Sequence, residues 1–593
     1  MKRLLLYVHF NRYNSLSDHV LYQLEQMNPL FSRIVFISNS QLDEAAINTL
    51  RERRLIDEVV QRKNSGFDFG AWRDGMDAVG WEQLKNFDSL TIMNDTCFGP
   101  LWDMLPIYQK FEEDNTVDFW GLTNHRAQGK MKEHLQSYFI SFKKEVVLSP
   151  AFPHFWLNVQ DFDDVQDVID HYETQVTTTF EEEGFRYRAV FDTVDEPTDH
   201  MPHPDFSFYN TSAILQHGVP FIKVKPLNAI PEYTVAVLDF IQKNSDYPTE
   251  LILRHMSKVF PNTENYLLAY KYAQMAPASP SPKAKVAIHL HVFYTDLLAS
   301  FLEIFATYDF AYDLYITTDS KKKVPTIEEV LNLYNAQAAI HVTGNVGRDV
   351  LPMLKLKKEL SQYDYVGHFH TKKSKEADFW AGESWRNDLV DMLVRPAGSL
   401  LAQLEKSPDL GLVIADIPTY FRFVKLDPAH EAMIEPMMTK MWKEMGMTKV
   451  IDFKAYSTYV MSYGTFIWFK YDALKPLFDL DLTEEQVPAE PLPQGSILHA
   501  IERMMVYIAW GQDYDFIIAP HPKRLAPYID VNLLNTKPSN TFYPWAPIEF
   551  TQFGGLKGSV KFFFHANFGI LKYVTKRVLA PALRIYHKVM PFN

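Results

Sequence analysis

The chain is short of cysteine: Cys97 is the only one in 593 residues. It has no intrachain disulfide partner, which excludes a disulfide scaffold and points to a reducing, cytoplasmic setting, and no zinc-ligand spacing surrounds it. Long apolar runs are missing too. No stretch reaches 18 uncharged apolar residues, so no segment is expected to span a bilayer. The opening MKRLLLYVHF has a basic flank, but its apolar run stops before His9 and lacks a small-residue cleavage site. It reads as a first buried strand rather than a secretion signal. Acids are absent from the end of the chain: the net charge is −14, yet after Glu549 come Lys557, Lys561, Lys572, Lys576, Arg577, Arg584 and Lys588 and no Asp or Glu. With an acidic body and the bases gathered at one terminus, nucleic-acid binding is disfavoured.

What is present is ordinary globular composition, 47% apolar and 22% charged, on a length that calls for two or more domains. Strand LLLYVHF, helix SLSDHVLYQLEQM, strand RIVFISNS, helix EAAINTLRERR, strand EVVQRK, a glycine-broken loop with its helix, and strand SLTIMNDT alternate as a parallel α/β sheet does. Residues 236 to 275 read as helical, and APASPSPK (276–283) reads as a linker, poor in anything that packs. After it the order begins again. KVAIHLHVFY echoes LLLYVHFNRY, YDLYITTDS echoes RIVFISNS, and GNVGRDVLPML echoes KNSGFDFGAWR; YDYVGHFHTKKS, YGTFIWFKYDAL and ILHAIERMMVYIAWG answer DSLTIMNDTCFG, HLQSYFISFKKEV and HYETQVTTTFEEEG. His9 stands 55 residues before Asn64, and His291 54 before Asn345. The expected division is a first domain over 1–235, a helical bridge and Pro-rich linker over 236–284, a second domain over 285–530, and a basic amphipathic tail over 531–593. In that tail Leu571, Val574, Val578, Ala582, Ile585 and Val589 form one side of a helix and Lys572, Lys576, Arg584 and Lys588 another. The pattern suits an anionic membrane surface, contacted through residues 568–593. Pro581 and a helix docked on the protein body stand against it.

The stretch that organises the rest is 61–101. Asn64, Gly66 and Asp68 form a loop whose glycine admits close backbone approach, and the helix behind it favours negative charge. The next strand delivers Asn94, Asp95 and Thr96 at its carboxyl end, where open α/β sheets bind ligands. Its second copy holds Asn345, Gly347, Arg348 and Asp349, then His368, His370, Thr371, Lys372 and Lys373. Asp68 and Asp349 have helix capping as an alternative role. His9 and His291 end the first strand of each copy, where a base-binding loop begins, or are buried core histidines.

The Asn-x-Gly loop, short helix and strand ending in acid resemble the donor half of GT-A glycosyltransferases, particularly the large inverting family 2. More closely, GFDFGAWRDG, LTIMNDTCFGPL, HLQSYF, NVGRDVLPML, HFHTKKS and the downstream G-x-x-W-R resemble the rhamnan synthesis protein F family, over essentially the whole chain. The resemblance implies an α/β fold of two tandem GT-A-like (Rossmann-type) nucleotide-sugar domains with a C-terminal amphipathic helix. It implies transfer of L-rhamnose from dTDP-rhamnose to a lipid-linked rhamnan chain at the cytoplasmic face of the membrane, alongside other polysaccharide-assembly enzymes.

For such an inverting transfer one general base deprotonates the acceptor hydroxyl. Glu173 resembles the base carried on a helix in family 2 enzymes, with Glu502, beside His499, as its counterpart; His203 and Asp205 compete. Asp95 stands where a carboxylate would hold Mg2+ or Mn2+ on the donor diphosphate. It is one acid rather than two, which leaves metal use open. The second copy offers His368, His370, Thr371, Lys372 and Lys373, a cationic set that would neutralise phosphate without metal, with His370 as its catalytic candidate. Asp68, Arg73, Arg348 and Asp349 are expected at ribose, base or phosphate, and Trp385 with Arg386 at sugar or diphosphate. Two other readings stay open: one repeat serves as a glycan-binding or docking module, or the whole chain is an assembly scaffold.

Overall fold

The computed structural model describes residues 1–522, apart from 130, 200, 262–269, 372, 374–378, 424–427, 457–458, 491 and 494, together with 560, 564 and 568. Those last three excepted, the basic tail and its expected membrane-facing helix lie outside the described residues. Two compact units divide the chain, the first comprising Met1–Phe260 and the second the described residues from Tyr270 onward.

The first unit carries β1 (Arg3–His9), β2 (Arg33–Ser38), β3 (Glu58–Gln61), β4 (Ser89–Asn94), β5 (Cys97–Phe98), β6 (Phe119–His125), β7 (His134–Leu135), β8 (Phe139–Lys143), β9 (Tyr187–Phe191) and β10 (Ile222–Lys223). β5 pairs with β10. The others form one sheet in the order β3-β2-β1-β4-β8-β6-β7, with β9 beside β6. β3, β2, β1 and β4 are parallel, and β8 runs against both β4 and β6. Every residue of β1 is buried, as a central strand covered on both faces requires. Leu5 and Tyr7 pack toward the helix Asp18–Met27, through Val20, Leu24 and Met27. Leu4, Leu6 and Val8 pack toward the helix Phe67–Val79, through Phe69, Trp72 and Met76.

The second unit repeats this plan with β11 (Val286–His291), β12 (Asp313–Thr318), β13 (Ala339–Val342), β14 (Tyr365–His370), β15 (Leu410–Ala415), β16 (Ile467–Phe469) and β17 (Asp515–Ala519). Their order is β13-β12-β11-β14-β16-β15-β17, again with four parallel strands followed by an antiparallel one, β16. The echoes read in the sequence fall on matching elements: β4 with β14, β8 with β16, and helix Thr174–Glu182 with helix Ile497–Gly511. The chain is thus α/β, built from two tandem Rossmann-type sheets.

Two stretches behave differently from their sequence reading. The helices Pro231–Asn244 and Glu250–Val259, expected to bridge, bury Leu238, Ile241, Ile252 and Met256 in the first unit's core. The expected linker packs on the second unit: the Ser279 hydroxyl donates to Asp309 at 2.5 Å, the Ser281 N–H to Glu405 at 2.7 Å, and upstream Lys271 pairs with Asp515. Serines between the prolines supply donors that the prolines lack, and carboxylates of the second unit accept them.

The pairing of His9 with His291 also needs correction. His9 ends β1 on the face of the helix Asp18–Met27, stacked on Phe36 at 5.4 Å. His291 shares the face of Ala287 and Val366, the side on which the helix Val350–Leu354 packs. Side chains alternate across a strand, so a slip of one residue exchanges faces. The spacings of 55 and 54 residues differ by that one.

Candidate active site

Within each sheet the order reverses beside the central strand: β1 leads by one crossover to β2 and is flanked on its other side by β4, and β11 stands likewise between β12 and β14. In an open α/β sheet the crevice beyond the carboxyl ends of such a strand pair is where ligands sit.

In the first unit that edge is acidic. The Asp95 carboxylate follows β4, and its Oδ2 accepts the Phe10 N–H at 3.1 Å; the His9 Nε2 lies 3.8 Å away. Gly66 (φ 68°) and Phe67 (φ 47°) are two successive left-handed residues that turn the chain into the helix Phe67–Val79. Asp68, one residue later, accepts the Asn94 side-chain N–H at 2.8 Å and does not cap its own helix. Burial pushes the Asp68 carboxyl up to about 6, and nearby Glu173 adds to this. Burial also holds Asp95 well above the carboxylate range, with Asp68 contributing and the Phe10 N–H opposing. Glu173 closes a π-helical turn, Ile169–Glu173, and its Oε1 accepts the Ser137 N–H (3.3 Å) and hydroxyl (3.0 Å). Asp68, Asp95 and Glu173 therefore bring three carboxylates into electrostatic reach, answered by few donors.

Other expected site residues are engaged elsewhere. Arg73 does not face a ligand: it bonds the Val159 carbonyl (2.6 Å), Asp74 and Asp161. Gly66 and Gly70 make room for the chain itself. The Gly66 N–H donates to the Phe162 carbonyl at 2.8 Å, a Cβ on Gly66 would collide with Asp161, and one on Gly70 would come within 2.7 Å of the Asp161 side chain. Asn64 is half-buried ahead of them. Asp205 caps the turn Phe206–Tyr209 and accepts Gln136 as well; against its burial, the nearby Lys223 charge and then these bonds hold it below the usual carboxylate range. His203 accepts the Asp205 N–H. The sequence reading missed Arg62, which ties the loop together through Asn39 (2.8 Å), Asp74 (2.6 Å) and the Ser65 carbonyl (2.7 Å). It also missed His19 and His255, whose rings lie 4.3 Å apart; burial lowers both, His255 to about 4. Coming from distant parts of the sequence, they carry no spacing signal.

The second unit keeps the frame and changes the chemistry. Gly347 (φ 81°) and Arg348 (φ 52°) repeat the left-handed pair, and Asp349 follows. Asp349 Oδ2 accepts His368 Nε2–H at 3.1 Å and the Thr465 hydroxyl, with His370 Nε2 at 3.9 Å. Burial alone would raise this carboxyl; His370, His368 and Thr465 hold it well below its usual range. His370 donates Nε2–H to the Gly464 carbonyl at 2.7 Å. His289 and His368 share an Nδ1–Nδ1 contact of 2.8 Å, and the Thr317 hydroxyl lies 2.9 Å from His289 Nε2 and 2.8 Å from His291 Nδ1. Burial depresses both histidines, His291 to about 4.

The expected cationic face toward phosphate is therefore not formed by these histidines, which are buried. Lys373 pairs with Asp296, Arg348 turns to the exposed Glu490 (2.7 Å), Asn345 is exposed, and Lys372 lies outside the described residues. Thr371 takes the structural place of Asp95: its hydroxyl accepts the Phe293 and Tyr294 N–H groups at 3.0 and 2.9 Å. Glu502 matches Glu173 and accepts the Gly464 N–H at 2.7 Å; its other oxygen takes Arg503 at 2.8 Å, and Arg503 also forks onto Glu431.

Asp95 alone is not a metal cage, and among the described residues no three His, Cys, Asp or Glu side chains stand close enough to hold an ion. Magnesium commonly takes one or two carboxylates with substrate phosphate and water supplying the rest. Asp95, half-buried, with Asp68 in reach, fits that mode.

Two Rossmann-type sheets in tandem, each with an acid at a helix start under the carboxyl edge, define an α/β protein whose candidate sites are the two switch points. The chain belongs to the rhamnan synthesis protein F family, whose model matches residues 34–514. The chain is 28% identical over 176 residues to the uncharacterized protein y4gN of Sinorhizobium fredii, covering 30% of this chain and 45% of that one. It is 31% identical over 133 residues to virulence protein VirA of Vibrio anguillarum, covering 22% and 41%. The chain thus spans less than half the length of these relatives. The glycosyltransferase GlyE of Streptococcus pneumoniae aligns over 63% of this chain and 87% of its own at 12% identity, with a TM-score of 0.23, too low to bear on function.

Proposed function

We propose that the protein is an inverting glycosyltransferase, GT-A-like in fold, that moves L-rhamnose from dTDP-rhamnose onto a lipid-linked glycan at the cytoplasmic face of the membrane. Family membership supports the rhamnan and the polysaccharide acceptor. The observation that carries the reading is the convergence of Asp68, Asp95 and Glu173 at the β1–β4 edge.

In this mechanism Ser137 fixes one oxygen of Glu173 and leaves the other for the acceptor hydroxyl. As the hydroxyl oxygen bonds the anomeric carbon, its proton passes to Glu173, the bond from that carbon to the diphosphate breaks, and dTDP leaves with the electron pair. Asp95, its backbone clamped to the Val8 carbonyl at 3.1 Å, stands at the diphosphate end. A bound Mg2+ or Mn2+ there would neutralise charge on the leaving diphosphate.

Purified full-length protein with dTDP-rhamnose and a lipid-linked acceptor tests this by product analysis, with and without EDTA. Glu173→Gln is expected to slow transfer about 10²- to 10⁴-fold, the range of a lost general base. Asp95→Asn should lower it in parallel with chelation. Full activity in both variants would overturn the assignment.

A further inference from the structure

The two units differ most in how their matched carboxylates are answered. In the first, Asp68 has one amide, Asp95 one backbone N–H and Glu173 one serine. In the second, Asp349 accepts His368 and Thr465, both oxygens of Glu502 are taken by Gly464 N–H and Arg503, and the place of Asp95 holds the neutral Thr371. The described cations bordering that site are also consumed: Arg503 by Glu431 and Glu502, Lys373 by Asp296, Lys323 by Asp319 at 2.6 Å. Among the described residues, the places matching Asp68, Asp95 and Glu173 hold no spare carboxylate to act as base, and a charged ligand there would have to displace an existing pair.

Beside it stands an aromatic wall. Trp385 packs within 3.3 Å of where a Cβ on Gly464 would sit, Phe421 meets Trp385 edge-on at 4.7 Å, and Tyr463 lies 5.2 Å from Phe421. Trp385, Phe421 and Tyr463 are all half-buried residues. Gly464 is the residue that bonds both His370 and Glu502, so the wall adjoins the balanced network directly. Partly buried aromatic residues offer large apolar contact at little entropic cost, which suits the C–H faces of sugar rings.

We propose that the second unit is a holding site for uncharged glycan, the growing polysaccharide itself, and that transfer is confined to the first. This rests on the transferase reading above for the identity of the glycan. The partition explains why both copies keep the Gly-x-Asp turn and the Glu anchor, which build the crevice, while the second neutralises its acids.

The test is calorimetric titration of the full-length protein with a neutral rhamnose oligosaccharide in the absence of donor, run beside the transfer assay. Wild type and Glu173→Gln should bind the oligosaccharide alike, although the variant has lost transfer. Trp385→Ala should weaken binding about tenfold or more, as loss of an aromatic anchor does, and raise the acceptor KM with little change in kcat. Trp385→Phe, which keeps a ring, should recover most of the affinity and guards against misfolding. Oligosaccharide binding indifferent to Trp385→Ala in a folded protein would overturn the proposal. So would residual transfer in Glu173→Gln that disappears on adding Glu502→Gln. A wild-type protein that transfers nothing yet binds oligosaccharide through Trp385 would refute the transferase reading and leave the holding site standing.

Discussion

Asp68 is a carboxyl answered by a single amide, and burial keeps its proton on to about pH 6. Its folded pKa is raised, so the stability it contributes is fully present below its unfolded pKa of about 4 and is lost as pH rises through about 6. The loss is at most about 3 kcal/mol at alkaline pH, because each tenfold change in proton affinity between the folded and unfolded chain is worth about 1.4 kcal/mol. Asp68→Asn is therefore expected to raise the thermal midpoint at pH 8 and leave it unchanged at pH 4; equal changes at both values would refute the pH linkage. Acids of this kind were legible in the sequence, because Gly-x-Asp and Asn-Asp-Thr occupy recognisable places in a βαβ unit. Their partners were not. Ser137, which holds Glu173, lies 36 residues from it, and Asp161, which fills the space over Gly66, is 88 residues from Arg73. No local pattern announces contacts of that range.

The loop before the helix Phe67–Val79 is an element shaped by its own neighbours. Gly66→Ala would add left-handed strain of about 1–2 kcal/mol to a collision with Asp161. Gly184, at φ 89° with nothing near its Cβ position, carries the strain alone. In urea unfolding Gly66→Ala should cost clearly more than Gly184→Ala; equal costs would mean that the 159–162 segment yields freely. The π-helical turn Ile169–Glu173 is a second device of this scale, since an extra residue in a helix turn redirects the side chain that follows. Strand and helix order was readable from alternation and repetition. The face of His291 was not, because matching identical residues between copies ignores the parity of the strand.

On the scale of the molecule, each unit has its own core, Leu5, Tyr7 and Leu24 with Leu238 and Met256 in one, and Ile288, Leu302 and Trp468 in the other. Residues 1–260 expressed alone are therefore expected to unfold in one cooperative transition; a broad, non-cooperative melt would refute this. Among the described residues no helix is long and apolar enough to cross a membrane. Deleting 568–593 is expected to move the protein from the membrane to the soluble fraction, and unchanged sedimentation with membranes would reject a surface-binding tail. The repeat was visible in sequence at this scale because six segments recur in order. The inequality of the two sites was visible only as a change of residue type.

The chain of hydrogen bonds from Asp349 to His291 has a direction. An ionised carboxylate can only accept, so a neutral His368 carries its proton on Nε2 and offers a bare Nδ1. His289 then donates from Nδ1 and takes the Thr317 hydroxyl on Nε2, and Thr317 in turn accepts from His291 Nδ1. The charge of one aspartate thus dictates the tautomer of three imidazoles on two neighbouring strands, β14 and β11. Replacing Asp349 with Asn, whose amide can donate as well as accept, frees the row to run the other way. Nitrogen-15 shifts of labelled histidine would then report two populations where the native protein gives one.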